Sequence, residues 1–157
     1  MSKPLGERLP AEVRRALDGR DLEGKIGPAY LLVSTDEDGT PRPCMLSAGE
    51  VLALDEGRIR VALWAGSRTS GNLRRGAPTL FYYLAPGAAV YVKGLPRPLG
   101  EPRGGLERFE ISVGVVERDE HEGMPLSQGP AFRLDGPEPA SILEWWRRQI
   151  ESLRETV

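Results

Sequence analysis

Residues 58–84 read RIRVALWAGSRTSGNLRRGAPTLFYYL, and this stretch decides the fold. It opens with the apolar, β-branched segment 58–64 and closes with the similar segment 77–84, which predicts two strands. The residues between them are polar and rich in glycine, serine and arginine. They predict a loop with a short helical turn.

The loop concentrates the chemical groups that bind a phosphate. Ser67, Thr69 and Ser70 carry hydroxyls, Arg68 carries a planar guanidinium that can bind two oxygens at once, and Gly66 lets a ligand approach the backbone. The alternative is a solvated connector in which these residues only form turns. Residue types alone favour the connector, because serine and arginine are common in loops.

Outward from this loop, alternating apolar residues and turn signals predict a chain made mostly of short strands. Arg58 and Arg60 alternate with apolar residues, so one face of their strand is predicted to be solvated or to line a site. Gly114 is predicted to mark a bend, and residues 94–105 a Pro/Gly-rich loop. The other predicted strands are residues 29–35, 40–47 (an edge strand, because of its prolines), 50–54, 79–84, 88–93 and 106–119.

Two helices are predicted at the ends of the chain. Residues 10–17 form a short helix that begins at a proline. Residues 139–155 form the clearest helix, with Ser141 and Glu144 at capping-box spacing. Its apolar stripe consists of Ile142, Trp146, Ile150 and Leu153. Terminal helices on an antiparallel sheet of many strands predict a barrel or sandwich.

Composition limits the classes of function. The 157 residues predict one domain, and a net charge of −2 gives no electrostatic case for binding nucleic acid or an anionic membrane. The chain shows no apolar run of membrane-spanning length, and its first residues are too polar for a signal peptide. The single cysteine, Cys44, cannot form an internal disulfide, which favours a reducing cytoplasm.

The sequence shows no set of acid–base, nucleophilic or metal-binding residues. His121 is the single histidine and lies in an acidic segment that predicts a surface turn. Cys44 has no neighbour in sequence that would lower its pKa. Catalytic residues therefore stay unknown, no metal site is predicted, and any reaction would depend on a cofactor.

Ser67-Arg68-Thr69 followed by Asn72-Leu73, after one strand and before another, resembles the FMN-binding split-barrel family. That family includes pyridoxamine 5'-phosphate oxidase and many small relatives. The resemblance implies a mainly β fold over residues 1–157: a six-stranded antiparallel split β-barrel with Greek-key connections, a short N-terminal helix and a C-terminal amphipathic helix. It also implies a homodimer with the cofactor site at its interface.

The resemblance implies FMN, another flavin or a deazaflavin as cofactor. The predicted phosphate-binding residues are Ser67, Arg68 and Thr69, with Asn72 near the start of the short helix. Leu46 and Ser47 are expected to run along the flavin. The chain departs from the oxidase at Thr69, where the oxidase has lysine, so a Thr69→Lys change is expected to tighten FMN binding. The aromatic residues that could form a flat slot for the ring, or equally an ordinary core, are Trp64, Tyr82, Tyr83 and Tyr91.

Three functions follow from these observations. The first is an FMN-dependent oxidoreductase that acts on an unassigned small molecule. The second is a non-catalytic split barrel that stores or senses a flavin or related ligand. The third is a nucleic-acid-binding barrel that uses a basic stripe beside Trp64, which the acidic net charge disfavours. The arginines of that stripe are Arg58, Arg60, Arg68, Arg74 and Arg75.

Overall fold

The computed structural model describes residues 1–136 and 138–155, and its backbone is mainly β. The helices are α1 (Ala11–Ala16), α2 (Arg68–Arg74) and α3 (Pro139–Arg154), with a 3₁₀ turn at Leu22–Lys25. The strands are β1 (Ser2–Gly6), β2 (Tyr30–Thr35), β3 (Pro41–Leu46), β4 (Val51–Asp55), β5 (Arg58–Trp64), β6 (Thr79–Ala85), β7 (Ala88–Pro98) and β8 (Leu106–Asp119).

The strands form one antiparallel sheet with the order β3-β2-β6-β7-β8-β5-β4, and β1 pairs with the far end of β8. Two hairpins, β2–β3 and β4–β5, flank the β6–β7–β8 meander. Within the described residues β3 and β4 end this order and β1 pairs with β8 alone, so the sheet is an open half-barrel that does not close. The prediction of an edge strand at β3 is confirmed.

The prediction of six strands is wrong, because the sheet has eight. The additional strand that sequence patterns did not reveal is β1, whose residues are all exposed and polar enough to resemble a tail. The strand β7 also continues to Pro98, into the predicted loop. Beyond Gly94 it pairs with β8 alone. The prolines in this part of β7 therefore do not interrupt any hydrogen bonding to β6.

The longest strand, β8, bends at a bulge. Lys93 pairs with Val115 and Gly94 with Val113, so Gly114 is the extra residue, as its position in the sequence predicted. A side chain on Gly94 would meet Ile111 at 2.5 Å, so glycine is needed where the two strands approach. The bend lets β8 contact β5 at one end and β1 at the other.

The predicted C-terminal helix is confirmed, and it covers the end of the half-barrel formed by β4 and β5. Trp146, Ile150 and Leu153 are buried, and Ile142 packs against the core. The predicted capping box is wrong: the helix begins at Pro139 with Glu138 as N-cap, and no side chain caps it. Proline suits the first helical position because its missing N–H would have no intrahelical partner there.

The prediction of a solvated or site-lining face on β5 is wrong for Arg60. This residue is only 6% exposed because the end of α3 covers it. Its Nε donates to Glu110 at 3.0 Å, and its Nη1 donates to the main-chain oxygens of Leu153 and Glu155 at 2.9 and 2.7 Å. The arginine thus ties the sheet to the C-terminal end of the helix. In the part of the chain that the structure describes, no helix is long and apolar enough to cross a membrane.

Candidate functional site

The loop between β5 and β6 begins with a tight turn. The main-chain N–H of Ser67 donates to the oxygen of Trp64 at 3.2 Å, and Gly66 occupies the left-handed region at φ +81°. Ser67 then caps α2, since its Oγ accepts from the N–H of Ser70 at 3.1 Å. The hydroxyl of Ser67 therefore stabilises the helix start, which accounts for serine at this position.

Arg68, the first residue of α2, is exposed to solvent. Within residues 1–136 and 138–155 its guanidinium forms no hydrogen bond or ion pair, although its charge contributes to lowering the pKa of Asp36. The neighbouring arginines differ, because Arg74 pairs with Glu107 and Arg75 donates to Asn72 and to the oxygen of Thr35. Arg68 is thus the cation of this loop that is available to a ligand.

Thr69 points away from Arg68. It is 7% exposed and lies near Cys44 on β3, whose pKa it affects. Burial raises the pKa of the Cys44 thiol, the Glu50 carboxylate raises it further, and the Thr69 side chain partly offsets both. A lysine at position 69 would have to bury an ammonium, so the structure gives no basis for the expected gain from Thr69→Lys.

Asn72 is buried and fastens α2 to the sheet. Its Nδ2 donates to Ser34 Oγ at 3.0 Å and to Asp36 Oδ1 at 2.8 Å, and its Oδ1 accepts from Arg75 at 2.9 Å. Both amide hydrogens therefore have protein acceptors. The residue positions the helix that carries Arg68, which gives the single asparagine of the chain a structural role.

The carboxylate of Asp36 accepts hydrogen bonds from Arg42 as well as from Asn72. Arg42 Nε donates to its two carboxylate oxygens at 2.8 and 3.0 Å. Hydrogen bonds from Arg42 first, and Asn72 second, lower the pKa of Asp36 to about 2. Beside these residues lies an open cavity of about 390 Å³. Its walls are Asp36, Glu37, Asp38, Arg68, Gly71, Asn72 and Arg75.

Near the end of β3, Cys44 lies close enough to Thr69 of α2 for Thr69 to affect its pKa. Leu46 is buried, and Ser47 is bound to Glu50, whose Oε2 accepts from the main-chain N–H at 2.7 Å and from Oγ at 2.8 Å. The structure therefore brings this strand end together with the predicted phosphate loop. The side chains of Leu46 and Ser47 are engaged within the protein.

The four aromatic residues that could form a ring slot lie in three separate contacts. Trp64 is 61% exposed and stacks on Trp145 of α3, with ring centroids 6.5 Å apart. Tyr83 stacks with Tyr30, while Tyr82 and Tyr91 meet edge to face. Sequence patterns missed Trp145, because its helical spacing alone does not show that it faces the end of β5.

A second cavity that the sequence did not reveal lies on the outer face of the sheet. It measures about 750 Å³ and is lined mainly by apolar residues of β2, β6, β7 and β8. Leu95 is 60% exposed and Val115 40% exposed on this face. Outward-facing apolar residues on adjacent strands form a patch of the kind that marks an interaction surface.

His121 lies in the turn after β8, where it lines a further cavity with Tyr91 and Asp119. It is exposed and its Nε2 lies 3.7 Å from Asp119. In the described parts of the chain, no three histidine, cysteine, aspartate or glutamate residues cluster so as to hold a metal ion. The geometry thus directs attention to the loop at Arg68.

One curated relative matches the sequence closely. It is the uncharacterized protein YclD of Bacillus subtilis (strain 168), which is 36% identical over 142 residues. The match covers 88% of this chain and 90% of YclD. No protein-family model matches the chain.

Solved structures share the fold at low sequence identity. A Lactobacillus delbrueckii protein, provisionally assigned as a pyridoxamine 5'-phosphate oxidase, has a TM-score of 0.55 and 17% identity over 73% of this chain and 98% of its own. An F420 reductase has a TM-score of 0.50 and 13% identity over 69% and 98%. HutZ, the heme storage protein of Vibrio cholerae, has a TM-score of 0.50 and 10% identity over 71% and 95%. The chain therefore belongs to the same family as YclD, and it shares the split-barrel fold of the pyridoxamine 5'-phosphate oxidase-like proteins, as the resemblance of the loop implied.

Proposed function

We propose that the protein binds FMN and acts as a flavin-dependent oxidoreductase on a small molecule. The observation that carries the proposal is Arg68, an exposed guanidinium at the predicted phosphate loop with no partner in the described residues. Asn72 and Ser67 hold the helix that presents it. A guanidinium suits a phosphate because it is always charged and can donate two parallel hydrogen bonds.

The residues fit a flavin phosphate through Arg68 and through the open backbone at Gly66, where a Cβ would meet no atom within 4 Å. A bound flavin supplies the redox chemistry itself. The protein's own residues would bind, orient and partly shield it. Flavins and deazaflavins that carry a phosphate group also offer phosphate oxygens to Arg68, and one neighbour in fold is an F420 reductase.

A second function is a binding module that stores or senses its ligand without turnover. Near the loop, Thr69 is buried and the Ser47 hydroxyl donates to Glu50, so neither hydroxyl is an exposed proton donor. One neighbour in fold is named as a heme storage protein. Turnover with NADH or NADPH and an artificial acceptor distinguishes the enzyme from the module.

We also propose that the protein is a homodimer that pairs through the apolar outer face of β2, β6, β7 and β8. The exposed Leu95 and Val115 support this, because burial in a two-fold contact would remove them from water. Leu95→Lys should convert the dimer to a monomer at micromolar concentration. Light scattering that shows a monomer for the unaltered protein would contradict the proposal.

The test of FMN binding begins with the protein as purified. An absorbance spectrum with flavin bands, and mass spectrometry of the compound that heat releases, should identify FMN. Arg68→Ala should then weaken FMN by about 10- to 100-fold, because charge-assisted bonds contribute about 1.5–3 kcal/mol. Riboflavin, which lacks the phosphate, should be unaffected. A spectrum of bound heme, or equal weakening of FMN and riboflavin, would overturn the proposal.

A further inference from the structure

The stacked pair Trp64–Trp145 presents an indole to solvent beside the proposed phosphate site. The two ring planes meet at 23°, so the rings are nearly parallel and offset. Trp145 is half-buried on α3 and supports one face of Trp64, whose side chain remains 61% exposed. The adjacent Trp146 is 2% exposed and belongs to the core.

The backbone near Trp64 contains several glycines, which carry no side chains that could block a ligand. Gly66 and Gly104 would each carry a Cβ that meets no atom within 4 Å, and a Cβ on Gly105 would lie 3.8 Å from the indole. The N–H of Ala65 donates to the oxygen of Gly105 at 2.9 Å, which holds that turn beside the indole. A flat ligand can therefore approach Trp64 without meeting side chains from these positions.

Trp64 is also close to Arg68 along the backbone. The hydrogen bond from Ser67 to Trp64 closes a β-turn, in which the first and fourth Cα atoms lie within about 7 Å of each other. Arg68 follows directly. One ligand that carries a planar ring and a phosphate on a short chain can contact both residues.

We infer that Trp64 and Trp145 form an aromatic platform on which the isoalloxazine ring stacks, while Arg68 binds the phosphate. The inference rests on the proposed FMN binding and adds α3 to the site. Trp64 contacts the ring, and Trp145 acts as a positioning residue that holds Trp64 flat. Ring stacking contributes equally to FMN and riboflavin, whereas Arg68 contributes to FMN alone.

The experiment measures FMN and riboflavin affinities by quenching of flavin fluorescence. Trp64→Leu should weaken both ligands by about tenfold, within the range of aromatic stacking plus lost contact area. Trp64→Phe should restore most of this affinity. Trp146→Phe changes a buried tryptophan next to Trp145 on α3, and it should leave both affinities unchanged.

The role of Trp145 is tested by a double-mutant cycle. Trp145→Leu should weaken both flavins by about threefold to tenfold in the presence of Trp64, and should have no further effect in the Trp64→Leu background. Additive effects would overturn the shared platform. Trp145→Phe, which keeps an aromatic ring against Trp64, should retain most of the affinity, and a thermal melt of each variant shows that it folds.

The outcomes separate this inference from the proposed function. If Trp64→Leu leaves riboflavin unchanged while Arg68→Ala weakens FMN, the platform is wrong and FMN binding stands. If Trp64→Leu weakens riboflavin and Arg68→Ala has no effect on FMN, the platform stands and the phosphate site is wrong. If the unaltered protein binds neither flavin, both are wrong.

Discussion

The underside of α3 and the segment from Trp64 to Arg68 both contain arginine and tryptophan side chains, in opposite environments. Under α3, Arg60 and Trp146 are 6% and 2% exposed, and Arg60 binds Glu110 and the end of the helix. At the loop, Arg68 and Trp64 are exposed, and Arg68 has no partner in the described residues. The same two residue types stabilise the fold in one region and remain available to a ligand in the other.

This contrast also bears on the hypothesis of a nucleic-acid-binding stripe. Four of its five arginines are paired with carboxylates. The exception is Arg68, and one cation gives little attraction to a phosphate backbone. The pairs are Arg58 with Asp55, Arg60 with Glu110, Arg74 with Glu107 and Arg75 with Glu37.

The largest expected effect on stability comes from Trp146→Ala. Removing this buried ring should lower the free energy of unfolding by about 3–5 kcal/mol. The matched change Trp64→Ala should cost less than about 1.5 kcal/mol, because the exposed ring loses mainly its stack on Trp145. Urea denaturation measures both, and equal losses would contradict the contrast between the two regions.

The second-largest effect is expected for Arg60→Ala, which should lower the free energy of unfolding by about 3 kcal/mol. The change leaves Glu110 buried with Arg97 as its main remaining partner, and it frees the carbonyls at the end of α3. Arg58→Ala is the control on the same strand. Its main pair, with Asp55, is exposed, and its contact with Glu110 is longer, at 3.7 Å, so the change should cost no more than about 1 kcal/mol.

Sequence patterns predicted most of the framework, since β5 and β8 begin and end where apolar alternation placed them. They failed for strands that are formed by pairing with a neighbouring strand and are not marked by an apolar pattern. The strand β1 is exposed throughout, and the prolines at the end of β7 are tolerated because that end has one neighbour. The burial of Arg60 depends on where α3 ends, which no local pattern encodes.

For the candidate site, the sequence indicated the loop but not the directions of its side chains. Ser67 and Thr69 were expected to face a phosphate with Arg68, whereas Ser67 caps the helix and Thr69 faces Cys44. Two successive helical residues point about 100° apart, so Arg68 and Thr69 cannot share one face. The partner ring of Trp64 comes from a segment 81 positions later in the printed sequence, and only the fold brings the two together.

A smaller, pH-dependent effect is expected at Asp36, which fastens α2 to β2. Its pKa is lowered from the ordinary 3.8 to about 2, so the ionised form stabilises the fold above about pH 4. This contribution is lost as the pH falls through about 2. Asp36→Asn should therefore lower the melting temperature at neutral pH, and the difference from the unaltered protein should shrink between pH 4 and pH 2. A constant difference over that interval would contradict the role of the charge.

The smallest effect on stability, and the sharpest on binding, is expected for Arg68→Ala compared with Arg75→Ala. Both guanidiniums line the same cavity on α2, but only Arg75 has protein acceptors, at Asn72 and Thr35. Arg75→Ala should cost about 1 kcal/mol of stability. Arg68→Ala should change stability by less than about 0.5 kcal/mol, because it removes no contact within the described protein.

Arg75→Ala should have the larger effect on stability, whereas Arg68→Ala should have the larger effect on FMN binding. Arg68→Ala should weaken FMN by about 10- to 100-fold and spare riboflavin, because the lost charge acts on the phosphate alone. Arg75→Ala should change the affinities for FMN and riboflavin equally, and only to the extent that it destabilises the position of α2. Isothermal titration with each flavin, beside thermal melts of the same samples, gives both quantities. If Arg75→Ala proves the phosphate-selective variant, Arg75 binds the phosphate and Arg68 is an ordinary solvated residue.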